Sequence, residues 1–447
     1  MNKHNINIVM PMGGLGSRFN SSIPKPFIKV EEKRLYEYAL DSLVEPLRND
    51  NNIKLTVVYR WNKDYKRNLY EIDRIRGLYG FYDINVEVID ELTSGPVETC
   101  MKGFDHIDND DVVIVLDCDL TFYSKDFLQT VSDIASEKIE YDGCLLTFES
   151  LNSAYSYVKE KNHIAKKLRE KEVISSNAIA GAYCFSSGKS FKQYAKKIVT
   201  DFCFDFDHSH KETYMSWLCD EMINDGAKFF VTNVDYYYSL GTPDEVEYYK
   251  NNHNKRLYIS DLDGTLFNTK EANYLSYKEV FKQMFNVDLK RETYDECFGL
   301  RIDDFLKKLN IDLDYKYEIK ELKSEIYEKH ISDIELNIAL FSELVKYKEQ
   351  GDLIALATTA SSKNVYNLLR KHCITSLFDI ILTGEDVDKG KPDPEIYIKI
   401  MRKENVLPEN TYIYEDSETG IKAAIDSNAG GVIHVVYNEN DFKRILK

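Results

Sequence analysis

Residues Lys255 to Thr269 read Lys-Arg-Leu-Tyr-Ile-Ser-Asp-Leu-Asp-Gly-Thr-Leu-Phe-Asn-Thr, a short apolar strand that stops on two aspartates. Side chains alternate along a strand, so Asp261 and Asp263 leave on the same side. Their charges repel unless a cation lies between them. Open α/β sheets hold their ligands at the C-terminal ends of strands, where this pair falls. An Asp-Gly turn in a surface loop would carry the same local sequence, so the downstream chain has to separate the two.

Three further stretches do so. Ile354-Ala355-Leu356-Ala357-Thr358-Thr359 is an apolar strand ending in hydroxyls, Gly390-Lys391-Pro392-Asp393-Pro394 follows, and Tyr412-Ile413-Tyr414-Glu415-Asp416-Ser417 is a strand ending in acids. With Asp-Leu-Asp-Gly-Thr-Leu they resemble, in order, the four motifs of the haloacid dehalogenase superfamily of phosphatases and phosphomutases. The resemblance runs from residue 257 to the end. It implies a Rossmann-like core whose active site is covered by a cap of the β-phosphoglucomutase-like type. Helical periodicity at Tyr274, Tyr277, Val280, Phe281 and Met284 places that cap at about 273–335. The resemblance further implies that Asp261 is a nucleophile forming an aspartyl phosphate and that Asp263 is the acid and base. Thr358 and Lys391 would bind phosphoryl oxygens, with Thr359 at the substrate. Asp261, Asp263, Glu415 and Asp416 would hold Mg²⁺. Relatives of the β-phosphoglucomutase type carry a cap-hinge histidine where this chain has Asn273, which favours a phosphatase over a mutase.

The first half has its own signature. Ile6 to Met10 reads as a buried strand, followed by Pro-Met-Gly-Gly-Leu-Gly-Ser-Arg and then Ile23-Pro24-Lys25-Pro26. Glycines after a strand let backbone N–H groups approach phosphate oxygens, and the flanking prolines hold Lys25 extended. Strands at Leu55–Tyr59, Val86–Ile89, Val112–Leu116 and Cys144–Phe148 alternate with helical stretches, as in a mainly parallel or mixed α/β sheet. Gly13, Gly14, Gly16, Arg18 and Lys25 together resemble the signature of sugar-phosphate nucleotidyltransferases. That family implies nucleotide contacts from Gly95 and Glu98, and Mg²⁺ on Asp119 with Asp117 beside it. It implies that Glu170 and Lys171 meet the sugar and its phosphate, with Gly181 beneath. The chain departs from the pattern at Ser239, where many relatives have a metal-binding aspartate; Asp235 is the nearest substitute.

The expected organisation is therefore two α/β domains, 1–254 and 255–447, within 447 residues. No Gly/Ser/Pro-rich linker separates them. A net charge of −17 argues against nucleic acid or an anionic membrane as partner. The eight scattered cysteines and the absence of a signal-like or spanning apolar run fit a cytoplasmic protein. No pattern specifies an oligomeric state. The expectation is a bifunctional enzyme that uses a nucleoside triphosphate, a sugar or polyol phosphate and Mg²⁺. The Leu-Asp-Cys-Asp-Leu strand end is similar to that of cytidylyltransferases, and relatives of the first half serve surface-polysaccharide synthesis. Two alternatives stand beside it: a C-terminal mutase supplying the first domain, or a degenerate, regulatory nucleotide site in the first half.

Overall fold

The computed structural model describes residues 5–48, 51–203, 212–297, 302–437 and 443–446. The chain divides into two compact units, Met1–Asn252 and His253–Lys447.

The first unit is built on a nine-stranded sheet. Strand Asn5–Met12 pairs in parallel with Asn52–Arg60 on one side and Val112–Leu116 on the other. Asp83–Ile89 adds a parallel edge. All five residues of Val112–Leu116 are buried, which is why its sequence is an uninterrupted apolar run. Alternate residues enter opposite cores. Ile6, Ile8 and Ile114 meet Phe127 and Val131 of helix Lys125–Ala135. Val9, Val113 and Val115 meet Phe191 and Leu218 of helices Gly188–Cys203 and Met215–Asn224. The sheet is mixed rather than mainly parallel, because Asn177–Phe185 runs antiparallel to both its neighbours, Val112–Leu116 and Gly143–Glu149. The lysine-rich stretch before Glu170 is extended. It is strand Ile164–Glu170, hairpin-paired with Ser156–Lys161 and burying Ala165 and Leu168.

The second unit has a six-stranded sheet. Leu257–Ser260 lies between Leu353–Ala357 and Thr411–Glu415, all parallel. Ile380–Leu382 and Gly431–His434 extend the parallel set, and Lys443–Leu446 closes one edge antiparallel. The last parallel strand ends at His434. The segment between the first two motifs is helical: Lys270–Phe285, Arg291–Asp295, Ile302–Lys308 and Lys316–His330. Residues 298–301 of it lie outside the described residues. These helices enclose a core of their own around Val280, Phe281, Phe305, Leu306 and Ile319. A short antiparallel ladder, Phe267–Asn268 with Glu335–Leu336, joins this cap to the sheet. Among the described residues no helix is long and apolar enough to cross a membrane.

Candidate active sites

In the second unit, three adjacent parallel strands end together, so their C-terminal residues must converge. Asp261 follows the central strand, Thr358 follows one neighbour, and Glu415 and Asp416 close the other. Lys391 reaches in ahead of helix Glu395–Glu404. Its Nζ donates to Asp261 Oδ1 at 2.6 Å, Glu415 Oε1 at 2.5 Å and the Ala357 carbonyl at 3.0 Å. Burial opposes the charge of Lys391, but Asp261 and Glu415 outweigh it and hold its pKa well above the usual lysine value. Tyr397 donates a further hydrogen bond, 2.5 Å, to Glu415 Oε1.

Gly264 turns the chain with φ +90°, and a β-carbon there would lie 2.1 Å from Asp416 Oδ2. Only glycine allows the chain to pass so close. Thr265 donates to Asp416 at 3.1 Å. The same turn sends Asp263 elsewhere. Its Oδ1 accepts from Thr269 at 2.5 Å and Asn273 at 3.3 Å, while Oδ2 faces the Thr358 hydroxyl at 3.5 Å. Thr359 is exposed beside Gly384.

In the first unit the parallel strands Asn5–Met12 and Val112–Leu116 also end side by side. The glycine turn after one therefore lies near Asp117 and Asp119 after the other. Gly16 adopts φ +64°, and a β-carbon there would strike Lys25 Cβ at 2.7 Å. The turn thereby lays Lys25 back toward the sheet, where its ammonium pairs with Asp119. Burial opposes the Lys25 charge, but Asp119 and Asp117 outweigh it and the pKa is raised. Burial, then the charge of Asp119, pushes Asp117 up to about 7. The Asp117 N–H donates to the Gly181 carbonyl at 2.8 Å. Gly13 packs against Thr99 of the turn that begins at Gly95, whereas Gly14 and Arg18 are exposed. Glu98 spends its carboxylate on the Ser94 N–H at 2.6 Å, as a residue in a helix's first turn does. Lys171 donates to the Tyr214 hydroxyl at 2.7 Å and lies 3.7 Å from Glu170, which is itself held by Ser216 at 2.8 Å.

The haloacid dehalogenase-like hydrolase family model matches residues 258–433. Protein CbbY of Cereibacter sphaeroides is 31% identical over 181 residues, 37% of this chain and 78% of that protein. The chain belongs to the haloacid dehalogenase-like hydrolase family. Its membership lies in the second unit. The phosphorylated carbohydrates phosphatase of Thermotoga maritima is 28% identical over 200 residues, 42% of this chain and 89% of that protein. A structure of a Vibrio cholerae nucleoside-diphosphate-sugar pyrophosphorylase superposes at 20% identity over 54% of this chain and 98% of that one, with a TM-score of 0.45.

The carboxylates of the hydrolase unit fit the hard divalent cation of this family. Ligand oxygens of Asp261, Glu415 and Asp416 lie within 4.8 Å of one another, the all-oxygen donor set that Mg²⁺ takes. Burial and mutual repulsion raise Asp261 well above the usual carboxylate range despite Lys391. Burial, then Glu415, lifts Asp416 to about 7. One lysine among three acids leaves an excess of negative charge that a divalent cation would balance. Asp263 is not in this cluster. It was expected among the ligands, but the turn at Gly264 points its carboxylate at Thr269 and Asn273.

Several partners escaped the sequence. Tyr397 and Thr265 steady Glu415 and Asp416. Lys323, from cap helix Lys316–His330, donates to Asn273 Oδ1 at 2.6 Å. Burial lowers the pKa of Lys323 to about 8. Its ammonium lies over the rings of Tyr327 and Tyr277, 4.1 and 5.5 Å from their centroids. In the first unit Asp235 does not replace the aspartate missing at Ser239. It accepts from the Lys125 N–H at 2.8 Å, at the start of a helix. Glu245 is the carboxylate that approaches Asp119. A β-carbon on Gly241 would sit 2.6 Å from Asp119 Oδ2 and 3.3 Å from Glu245 Oε2.

Proposed function

We propose that the chain is a bifunctional enzyme in nucleotide-activated sugar or polyol synthesis. The first unit transfers a nucleotidyl group to a sugar or polyol phosphate, and the second hydrolyses a phosphomonoester. The observation that carries the hydrolase half is the convergence of Asp261, Asp263, Thr358, Lys391, Glu415 and Asp416 at the ends of three adjacent strands.

An oxygen of Asp261 attacks the phosphorus, and the bond to the leaving oxygen breaks. Asp263 gives its proton to that oxygen. Water then attacks the aspartyl phosphate and returns a proton to Asp263, and inorganic phosphate leaves. Lys391 and Thr358 hold the phosphoryl oxygens on which charge spreads in the transition state. Asp261, Glu415 and Asp416 would hold Mg²⁺, which would supply charge neutralisation to the phosphoryl group. Asn273 at the cap hinge favours hydrolysis over isomerisation.

For the first unit, the support is the Lys25–Asp119 pair beside the glycine turn. The acceptor's phosphate oxygen attacks the α-phosphorus in line, and pyrophosphate leaves. No covalent intermediate is required. Lys25 and Arg18 neutralise the triphosphate, Lys171 holds the acceptor's phosphate, and Asp119 and Asp117 are the candidate Mg²⁺ ligands. The Leu-Asp-Cys-Asp-Leu strand end favours CTP, and the product class suits a surface polysaccharide such as a capsule.

The full chain with Mg²⁺, four nucleoside triphosphates and a panel of sugar and polyol phosphates tests both halves. Pyrophosphate should appear with one triphosphate and a narrow set of acceptors. Inorganic phosphate should appear from a phosphomonoester, and chelation should stop both. An isomeric phosphate formed without phosphate release would make the second unit a mutase. No pyrophosphate with any pair would leave the first unit a binding module.

A further inference from the structure

The sheet of the first unit sets a further cation beside the glycine turn. Strand Asn52–Arg60 lies next to strand Asn5–Met12, with Tyr59 level with Met12. Arg60 and Gly13, the residues that come next, therefore leave the sheet side by side. Arg60 Nε donates to the Gly13 carbonyl at 2.9 Å. The arginine is partly buried, and among the described residues neither of its NH₂ groups has a hydrogen bond or an ion pair. We propose that Arg60 reads the nucleobase: its unspent fork selects a base edge with two adjacent acceptors, cytosine or guanine, against uracil, thymine and adenine. This rests on the first unit binding a nucleoside triphosphate, as proposed above.

The position of Arg60 is that of a base rather than of phosphates. On the other side of strand Asn5–Met12 lies Val112–Leu116, which leads to Asp117 and Asp119. The flank with Arg60 and the flank with the aspartates are two strand spacings apart, ~10 Å. Lys25 and Asp119 mark the phosphate end of the turn. The Arg60 end meets the loop around Gly95 instead. A β-carbon on Gly13 would lie 2.8 Å from the Thr99 hydroxyl and 3.4 Å from that of Thr93. Each of these two loops also exposes a large apolar side chain, Leu15 at 66% and Leu92 at 57%. A nucleobase brings flat apolar faces for such side chains to cover. A nucleotide laid along the turn with its α-phosphate at Asp119 therefore carries its base toward Arg60.

A guanidinium only donates, in a rigid planar fork. With Nε–H spent on Gly13, two NH₂ groups remain. Cytosine offers O2 and N3, both acceptors, and guanine offers O6 and N7. Uracil and thymine carry a proton on N3 between their carbonyls, which meets the fork donor to donor. Adenine sets its N6 amino group beside N1 and N7, with the same conflict. The bond to Gly13 fixes one side of the guanidinium, so the fork cannot turn aside for the wrong base. Of the two bases accepted, cytosine agrees with the Leu-Asp-Cys-Asp-Leu strand end.

The test is calorimetric titration of the full chain, in Mg²⁺, with CTP, GTP, UTP, dTTP and ATP in turn. The native chain should bind CTP or GTP at least roughly tenfold tighter than the other three, the discrimination that one bidentate base contact supplies. Arg60→Lys keeps the charge and a donor for Gly13 but has no fork. It should bind the preferred triphosphate at least roughly tenfold more weakly and UTP within about twofold of the native chain, so that the preference disappears. A native preference for UTP, dTTP or ATP, or none among the five, would overturn the inference. So would an Arg60→Lys variant that keeps the native preference, or one that weakens all five equally, as loss of a phosphate contact would. If no triphosphate binds the native chain, the nucleotidyl-transfer reading of the first unit falls, and the base assignment falls with it.

Discussion

Each unit carries a lysine–aspartate pair at the ends of parallel strands, and the two pairs are built to different degrees. Lys391 is 6% exposed and Asp261 9%. The lysine is held by two carboxylates and a carbonyl, and Glu415 is in turn held by Tyr397. Lys25 and Asp119 are 22% and 20% exposed, and Lys171, on the same unit, is 50% exposed. The difference follows the chemistry proposed for each. A covalent step needs its nucleophile fixed to within a fraction of an ångström before substrate arrives. A transfer between two substrates needs cations that can let go of their resting partners and close on a triphosphate. The hydrolase site is therefore assembled in advance, while the Lys25–Asp119 pair holds two groups in reserve.

The largest effect expected of a single substitution tests the assembled site. Asp261→Asn keeps the shape but removes the attacking charge, so phosphate release should fall on the order of a thousandfold or more. Pyrophosphate release by the same protein should stay within about twofold. Trapping of an aspartyl phosphate, or of its beryllofluoride mimic, should occur in the native chain and not in the variant. Sustained hydrolysis by Asp261→Asn would dissolve the contrast, because the preassembled nucleophile would then be doing nothing.

The reserve pair predicts a smaller loss. Lys25→Ala and Asp119→Ala should each cost nucleotidyl transfer on the order of a hundredfold, the ~3 kcal/mol that one lost charge-stabilising contact is worth. Phosphate release should be unchanged. If either substitution leaves pyrophosphate formation intact at saturating triphosphate, that residue does not serve the transfer, and the Lys25–Asp119 pair is a structural ion pair.

What the sequence made legible follows the same division. Asp261, Thr358, Glu415 and Asp416 could be read because each sits at the end of an apolar strand, and parallel neighbours bring such ends together without further information. Lys25 was readable for a similar reason, from a glycine turn and two prolines that fix its approach. Lys323 was not. Its helix, Lys316–His330, carries lysines at 316, 320, 323 and 329, and only the packing of that helix on Lys270–Phe285 selects which one faces Asn273. Asp235 looked like a metal ligand by proximity in sequence, yet its carboxylate accepts from the helix start that follows the neighbouring strand Leu120–Tyr123. Glu245 lies beyond a Gly-Thr-Pro turn, so its approach to Asp119 depends on the path of the chain at Gly241. Polar partners set by tertiary packing leave no local period to read.

The smallest expected effect is on stability, and the two tryptophans make it measurable. Trp61 and Trp217 both belong to the first unit, so tryptophan fluorescence reports that unit's unfolding and not the hydrolase's. Burial and Asp119 raise Asp117 to about 7 in the folded chain, from an ordinary value of 3.8. A carboxyl raised on folding prefers its proton in the native state. Its stabilising contribution is therefore fully present below the unfolded pKa and is lost as pH rises toward the folded one. In chelator, the fluorescence-detected midpoint should fall as pH goes from 5 to 8, with most of the change below about 7. Asp117→Asn should flatten that part of the curve. Lys25→Ala should extend it to higher pH, because Lys25 is the cation that holds the Asp117 value down. If Asp117→Asn leaves the slope unchanged, burial and Asp119 do not raise the Asp117 carboxyl. The first unit would then hold its charges as comfortably as the second holds Lys391, and the contrast between a reserve site and an assembled one would lose its energetic basis.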